Sequence, residues 1–154
     1  MTDQLTALEK FQSALQHFRH VSGAMLAVAD GYSPELAEKS EACGWWSPRQ
    51  IIAHESGWLV EVHRRFDLYA TGDLEPIEYD FDAFNAKSVE ARAGLDWKST
   101  LSEFRGLIER TISRAEGLPP QQVSTVRGYG GWLDAMSEDM EMHTHQLVDF
   151  QNKG

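Results

Sequence analysis

The chain has 154 residues, of which 42% are hydrophobic and 25% are charged, and these values predict one globular domain over residues 1–154. Its 14 basic and 24 acidic residues give a formal net charge of −10 with no basic run, so we expect no nucleic-acid partner. No apolar run reaches the roughly 18 residues of a membrane span and no signal peptide is recognisable, so we expect a cytoplasmic protein with no membrane partner.

The first predicted helix runs from about Asp3 to Asp30, because apolar residues recur there at three- and four-residue steps. Gly31 ends this helix, and the following Ser33–Glu35 segment is able to open a short extra turn. The apolar positions are Leu5, Leu8, Phe11, Leu15, Phe18 and Met25.

The second predicted helix has the clearest start in the chain, at Ser47–Pro48. A serine hydroxyl caps free backbone N–H groups, and proline at the first helical position needs no donor. We expect this helix to run to about Ala70, with Glu55 and the Arg64–Arg65 pair at its sides. Its inward positions are Ile51, His54, Trp58, Val62, Phe66 and Tyr69.

Three later segments complete the helical pattern. Phe81 to Ala93 predicts a short helix, and Asp96 caps a third long helix that Gly117 and the next two prolines end. Residues 128–131 (GYGG) are interpreted as a flexible turn before a last helix over about 132–150. The core face of the third long helix is Leu101, Phe104, Ile108 and Ile112, and that of the last is Leu133, Met136, Met140, His143, Leu147 and Phe150, with Asp139 adjoining.

Four long amphipathic helices predict an all-α protein built as a four-helix bundle. The connection between the second and third long helices is long and begins with the acidic segment 73–80. The length of this connection favours an up-down-down-up order of the helices over a simple up-down series.

Three polar residues, His54, Asp139 and His143, fall on predicted inward faces. Asp139 and His143 are one helical turn apart, so both side chains reach one point, while His54 comes from another helix. Two imidazoles and one carboxylate that converge in this way predict a divalent-metal site with open coordination positions. The alternative is that the histidines are hydrogen-bonded core residues and that Asp139 and His143 form a simple i, i+4 pair.

The other candidate polar residues carry weaker signals. Glu138 is kept as a reserve ligand, whereas His145 is expected to face solvent with Glu141, one turn earlier, as its partner. The remaining histidines are expected on surfaces or helix boundaries, and these are His17, His20 and His63.

Aromatic residues cluster on or just before the helices that carry the proposed site, and core packing accounts for most of them. Trp58, one turn after His54, is the best candidate for a pocket wall. Tyr129 and the neighbouring glycines form either a mobile rim of that pocket or a plain turn between two helices. Cys43, the single cysteine, excludes an intrachain disulfide and is interpreted as an inert thiol. The cluster consists of Trp45, Trp46, Trp58, Tyr129 and Trp132.

Two segments resemble signatures of the DinB/YfiT-like superfamily. Trp46–Trp58 (WSPRQIIAHESGW) is similar to the second-helix signature, in which a W-S pattern leads to the first metal-ligand histidine. Asp139–Leu147 (DMEMHTHQL) is similar to the last-helix signature, in which a histidine or acidic residue precedes a histidine by four positions. The resemblance implies a four-helix bundle with a divalent metal held by His54, Asp139 and His143.

Two branches of this superfamily are similar to the chain in further details. The aspartate at the middle ligand position, Asp139, looks closer to the mycothiol-dependent maleylpyruvate isomerases, which carry a longer acidic residue there. Residues 84–97 and Phe104–Arg105 resemble the colibactin-self-protection branch. These relatives imply thiol S-transfer or action on a reactive genotoxin, and several of them imply a homodimer.

Three functions from different classes follow. The leading hypothesis is an enzyme that uses zinc, nickel or iron to activate a low-molecular-weight thiol for attack on a small electrophilic substrate. An alternative is a non-catalytic binding or toxin-protection protein that sequesters a small molecule. A third is a stress-induced structural protein whose histidines bind no ion. A shared fold does not decide among these functions.

Overall fold

Local capping interactions set the ends of the long helices. In this computed structural model, which describes residues 2–153 and the side chains of residues 6–153, Ser47 and Gln50 form reciprocal capping hydrogen bonds of 3.2 and 2.9 Å. Asp80 and Asp96 cap two later helices by accepting one backbone N–H bond each. The helices are α1 (Thr2–Asp30), α2 (Pro34–Ala37), α3 (Pro48–Ala70), α4 (Phe81–Ala91), α5 (Trp97–Glu116), α6 (Pro120–Thr125) and α7 (Gly128–Lys153).

The all-α class is confirmed, since residues 2–153 contain these seven helices and no strand beyond one isolated bridge between Cys43 and Trp46. The four long helices contact one another in pairs: α1 packs on α5 and α7, and α3 packs on α5 and α7. The up-down-down-up four-helix bundle stays a prediction. None of the helices in the described range combines the length and the apolar character that crossing a membrane requires.

The buried positions follow the predicted apolar stripes, because burial of apolar surface is the main force that packs amphipathic helices. Leu8, Leu101, Ile112 and Phe150 lie partly buried at the edge of the core. The side chain of Leu5 lies outside the described side chains. Fully buried core residues on the four long helices include Phe18, Met25, Ile51, Phe66, Phe104, Leu133, Met140 and Leu147.

The prediction of a flexible turn at residues 128–131 is wrong, because α7 already begins at Gly128. A Cβ atom at Gly128 would overlap the Tyr69 hydroxyl group, so this glycine permits a close approach of α7 to α3. Tyr129 is fully buried, and its ring meets those of Phe66 and Tyr69 edge-on at 4.9 and 5.1 Å. Tyr129 is therefore a core residue and forms no mobile rim.

Two residues that the sequence places at the sides of α3 are buried, Glu55 and Arg65. Arg65 Nη2 donates a 3.0 Å hydrogen bond to the carbonyl oxygen of Glu75, and its guanidinium lies 5.2 Å from the centroid of the Tyr69 ring. These contacts explain its burial. Glu55 belongs to the candidate site.

A glycine also lets α4 dock tightly on α3. A Cβ atom at Gly57 would overlap both Oγ and Cβ of Ser88. This close approach brings the N-terminal half of α4, with Phe84 and Asn85, next to Trp58. The short helix α4 thus forms one wall of the region described next.

Candidate metal centre

Four side chains converge between α3 and α7: His54, Glu55, Asp139 and His143. One ligand atom from each lies within 4.8 Å of every other. Asp139 Oδ2 lies 2.9 Å from His54 Nε2 and 3.6 Å from His143 Nε2. Glu55 Oε1 lies 3.6 Å and 3.8 Å from the same two nitrogen atoms. The structure therefore brings the three predicted ligands together and adds a second carboxyl group.

Helix geometry explains why these residues meet. Asp139 and His143 are four residues apart and project from the same face of α7. His54 and Glu55 are neighbours on α3, and both are buried where α3 packs on α7. The inward faces of α3 and α7 each carry polar groups, and the packing of the two helices places these groups against one another.

Asn85 sets the orientation of the His54 ring. Its Oδ1 atom accepts a 2.7 Å hydrogen bond from Trp58 Nε1, a group that only donates, which identifies this amide atom as oxygen. His54 Nδ1 lies 3.0 Å from the same oxygen and therefore carries a hydrogen that it donates. In a neutral ring, the lone pair is then on Nε2, the atom that faces the cluster, whereas a protonated ring donates from Nε2 to Asp139 Oδ2 at 2.9 Å.

Gln146 plays the same part at the second histidine. Its Oε1 atom lies 2.6 Å from His143 Nδ1, so this ring also donates from Nδ1 and turns Nε2 towards the cluster. Burial is the main cause that lowers the pKa of His143, which favours the neutral ring. An amide oxygen behind each imidazole is the arrangement that orients metal-binding histidines.

Glu55 is fully buried, and no N–H donor reaches either of its carboxylate oxygens. Burial, followed by the adjacent carboxyl group of Asp139, raises the pKa of Glu55 well above its usual range. Burial alone would raise the pKa of Asp139 too, but hydrogen bonds to His54 and Glu55 and the nearby imidazoles outweigh it and lower that pKa. Two carboxyl groups in contact need a proton or a cation between them.

This donor set fits a divalent ion. Four ligands at 2.0–2.1 Å from zinc in a tetrahedron lie roughly 3.3 Å from one another. The four nitrogen–oxygen distances between the imidazoles and the carboxyl groups fall between 2.9 and 3.8 Å. Two imidazole nitrogens and two carboxylate oxygens suit zinc, nickel or iron. The buried oxygens of Glu55, which no N–H donor reaches, are the observation that points most directly to a cation.

A cleft of about 630 Å³ opens on this cluster, and His54 and Asp139 line it. The Asp139 side chain is 35% exposed, in contrast to the buried side chains of the other three cluster members. Trp58 is part of the cleft wall, as predicted, and Trp46 packs on the other side of the His54 ring at 5.0 Å between centroids. The aromatic wall consists of Trp58, Tyr69, Tyr79, Phe81 and Trp132.

The remaining polar candidates lie elsewhere. Glu138 is exposed and is not a member of the cluster. His145 faces solvent as predicted, but Glu141 pairs with His17, at 3.7 Å, and not with His145. His20 is exposed on α1.

Two predictions concern groups that are half-buried. His63 is not a free surface residue, since its ring contacts Thr111 and Arg114. Burial raises the pKa of the Cys43 thiol, which disfavours a reactive thiolate and agrees with an inert role for this cysteine.

Sequence reasoning missed Glu55, Asn85 and Gln146. Glu55 follows directly after His54, but it is not one of the predicted inward positions of α3. A signal for Gln146 was present, because it lies one turn after His143 on the same helix. For Asn85 no local signal exists, since only the docking of α4 on α3 brings it to His54.

Comparisons with known proteins give a likeness of fold alone. No protein-family model matches the chain, and no curated protein matches it. A crystal structure of the colibactin self-resistance protein ClbS in complex with double-stranded DNA has a similar fold, with a TM-score of 0.73. The likeness covers 92% of this chain and 94% of that chain, at 10% sequence identity. The helical fold expected from the colibactin-self-protection resemblance is thus supported, and membership of the wider superfamily stays a prediction.

The same comparison corrects one expectation. The acidic net charge and the lack of a basic run led us to exclude nucleic acid as a partner. ClbS, which shares the fold, is seen in complex with double-stranded DNA. Total charge describes the whole surface and not one face of it, so the exclusion was wrong.

Proposed function

We propose that this protein protects against a small reactive compound, which it takes into the aromatic cleft and holds against a divalent metal ion. The observation that carries the proposal is that the cleft opens on the four-residue cluster, with His54 and Asp139 in its lining. The likeness in fold to a colibactin self-resistance protein supports this function among those considered.

Each part of the site has a role in this proposal. His54, Glu55, Asp139 and His143 hold the metal, and the amide oxygens of Asn85 and Gln146 keep the two imidazoles in the binding orientation. The rings of Trp58 and Trp132 bind the apolar part of the ligand and exclude water. When bound, a divalent ion lowers the pKa of a water molecule or thiol towards neutrality.

A second candidate is metal-dependent thiol S-transfer, and the exposure of Asp139 to the cleft favours it. A ligand that reaches the floor of the cleft would meet this carboxylate. In such a reaction the thiol sulfur forms a bond to the electrophilic carbon, and the electron pair displaced there goes to the leaving group. The proton of the thiol is passed to that leaving group, so atoms and charges balance.

Metal content is the first test. We expect about one zinc, nickel or iron ion per chain in native protein, by elemental analysis, and a loss of that ion in His143→Ala. His145→Ala is the matched control, because this histidine lies two residues away on the exposed face of α7. Native protein without a stoichiometric ion, or equal metal content in all three proteins, would contradict the metal site.

Activity separates the two candidates. A protection protein that only binds its ligand gains thermal stability with the ligand and consumes no thiol. An S-transferase consumes a low-molecular-weight thiol in the presence of an electrophile, and His54→Ala should abolish this consumption. Equal thiol consumption by wild type and His54→Ala would exclude the enzymatic candidate.

A further inference from the structure

Asn85 has an amide group whose orientation is set by two neighbours. Its oxygen accepts hydrogen bonds from Trp58 Nε1 at 2.7 Å and from His54 Nδ1 at 3.0 Å. A flip of the amide would place its NH₂ group against these two donors and leave both without an acceptor. The oxygen therefore stays with Trp58 and His54, and the NH₂ group is held in one position.

The NH₂ group of Asn85 is available to a ligand. An amide nitrogen carries two hydrogens to donate, and no acceptor for either is found among the residues that the structure describes. Asn85 lines the cleft beside the two cluster members that also line it, His54 and Asp139. A hydrogen-bond donor is thus fixed near the floor of the cleft, next to the metal cluster.

Other polar groups of the cleft are engaged or distant. The Tyr79 hydroxyl group donates to Glu61, and the indole N–H of Trp132 donates to the Tyr69 hydroxyl group at 3.1 Å. That hydroxyl lies against Gly128 at the start of α7, roughly 16 Å along the helix axis from Asp139. Asn85 is therefore the donor that a ligand meets close to the cluster.

The rest of the cleft is apolar and aromatic. Trp58 and Trp132 lie 6.2 Å apart between ring centroids, and the Phe81 ring, 63% exposed, stands beside Trp58. No lysine or arginine is among the residues that line the cleft. These walls favour a flat apolar ligand, and they supply no basic side chain to pair with an anionic one, so the proposed metal ion is the cation that a ligand would meet.

We propose that Asn85 selects the ligand of the cleft by donating a hydrogen bond to a neutral carbonyl oxygen, so that the ligand class is flat, apolar carbonyl compounds. This inference rests on the proposed function, in which the cleft binds a small molecule. A carbonyl group that accepts this bond is polarised, which makes the carbon atoms conjugated with it more electrophilic. The donor thus stands where a reactive carbonyl compound would be held against the metal cluster.

The test compares two probes of nearly the same shape, acetylnaphthalene and ethylnaphthalene substituted at the same ring position. Water solvates the ketone better, so a cleft without a donor would bind the hydrocarbon more tightly. We expect wild type to bind the ketone about fivefold more tightly, a ratio within the net strength of one hydrogen bond. Equilibrium dialysis of each probe against the metal-loaded protein gives the two dissociation constants.

Asn85→Asp keeps an oxygen for Trp58 and His54 and replaces the donating NH₂ group by a second oxygen. It should reverse the preference for the ketone, since the donor to the carbonyl oxygen is lost. Asn152→Asp is the matched control, because it makes the same chemical change at an exposed position near the end of α7. This control should keep the wild-type ratio of the two dissociation constants.

Each outcome decides the inference. Wild type that binds the hydrocarbon more tightly than the ketone overturns it, whether or not Asn85→Asp folds. An unchanged ratio in folded Asn85→Asp also overturns it, while ligand binding in the cleft, and so the proposed function, survives. Failure of both probes to bind overturns the role of Asn85 together with the proposed cleft function.

Discussion

Glu55 Oε1 lies 3.8 Å from His143 Nε2, although the two residues come from different helices. No N–H group donates a hydrogen bond to the carboxyl oxygens of Glu55. A fully buried carboxyl group in this position is unfavourable when it is charged and alone. It becomes favourable when a cation is shared with the imidazoles. This relationship is the reason for proposing a cation here and not a merely polar patch in the core, because buried polar groups are normally given hydrogen-bond partners.

Glu55→Gln should therefore affect metal binding and stability differently. We expect the affinity for the divalent ion to fall at least tenfold, because one ligand oxygen is replaced by a neutral amide. The metal-free protein should keep its free energy of unfolding within about 1 kcal/mol, since burial already favours the uncharged acid at this position. Chelator competition and urea unfolding in the presence of EDTA measure the two quantities. A large loss of stability with unchanged metal affinity would mean that Glu55 has a structural role.

Gln146→Leu should weaken metal binding without removing a ligand. The amide oxygen of Gln146 orients the His143 ring, and loss of such a partner typically lowers metal affinity about 10–100-fold. Gln151→Leu, five residues further along α7, removes an amide that donates to the carbonyl oxygen of Gly31. Chelator competition should show the loss in Gln146→Leu alone, and equal affinities in the two variants would argue against the orienting role.

Gly57→Ala should destabilise the protein by about 1–3 kcal/mol, because the new methyl group would overlap Ser88 and force α4 away from α3. Gly23→Ala is the control: apart from the adjoining backbone of α1, no atom lies within 4 Å of a Cβ at this position, so we expect stabilisation of about 0.4–1 kcal/mol. Urea unfolding measures both. A double-mutant cycle with Ser88→Gly should recover part of the loss, and strict additivity would place the strain elsewhere.

His63 should make stability depend on pH near neutrality. Burial first, and then the charges of Arg114 and Arg110, lower the pKa of His63, while Asp67 opposes them. A depressed folded-state pKa means that this contribution is complete above the unfolded value of about 6.5 and is lost as pH falls through the lower folded value. Arg114 Nη1 lies 3.3 Å from His63 Nδ1, an atom that accepts only while the ring is neutral.

The measurement is urea unfolding of wild type and His63→Gln between pH 8 and pH 5. The free energy of unfolding of wild type should fall more steeply below about pH 6.5 than that of the variant. Other groups titrate equally in both proteins, so the difference isolates His63. Parallel curves would exclude the proposed contribution.

The ends of α3 and α5 and the inward stripes were predictable because they depend on short-range interactions. Ser47 and Asp96 cap neighbouring backbone groups, so their roles can be read from a few residues of sequence. The spacing of Asp139 and His143 is likewise a property of one helix. The metal proposal built on them stays a prediction that elemental analysis will test.

Other features depend on how the helices pack. The turn expected at residues 128–131 is helical, because Gly128 permits contact with Tyr69 on another helix. Asn85 reaches His54 only because Gly57 allows α4 to dock on α3. No local pattern carries this information, since each contact joins residues that are far apart in the chain.

The sequence by itself determined the all-α class, the ends of α3 and α5 and the faces that carry His54, Asp139 and His143, since hydrophobic periodicity and capping act within a few residues. The tertiary structure alone decided that Glu55 is buried beside them and that Asn85 orients the His54 ring. It also decided that an aromatic cleft opens on the cluster. The physical reason is that burial and hydrogen-bond partners are set by the neighbouring helix, whose position is fixed by close contacts such as those at Gly57 and Gly128.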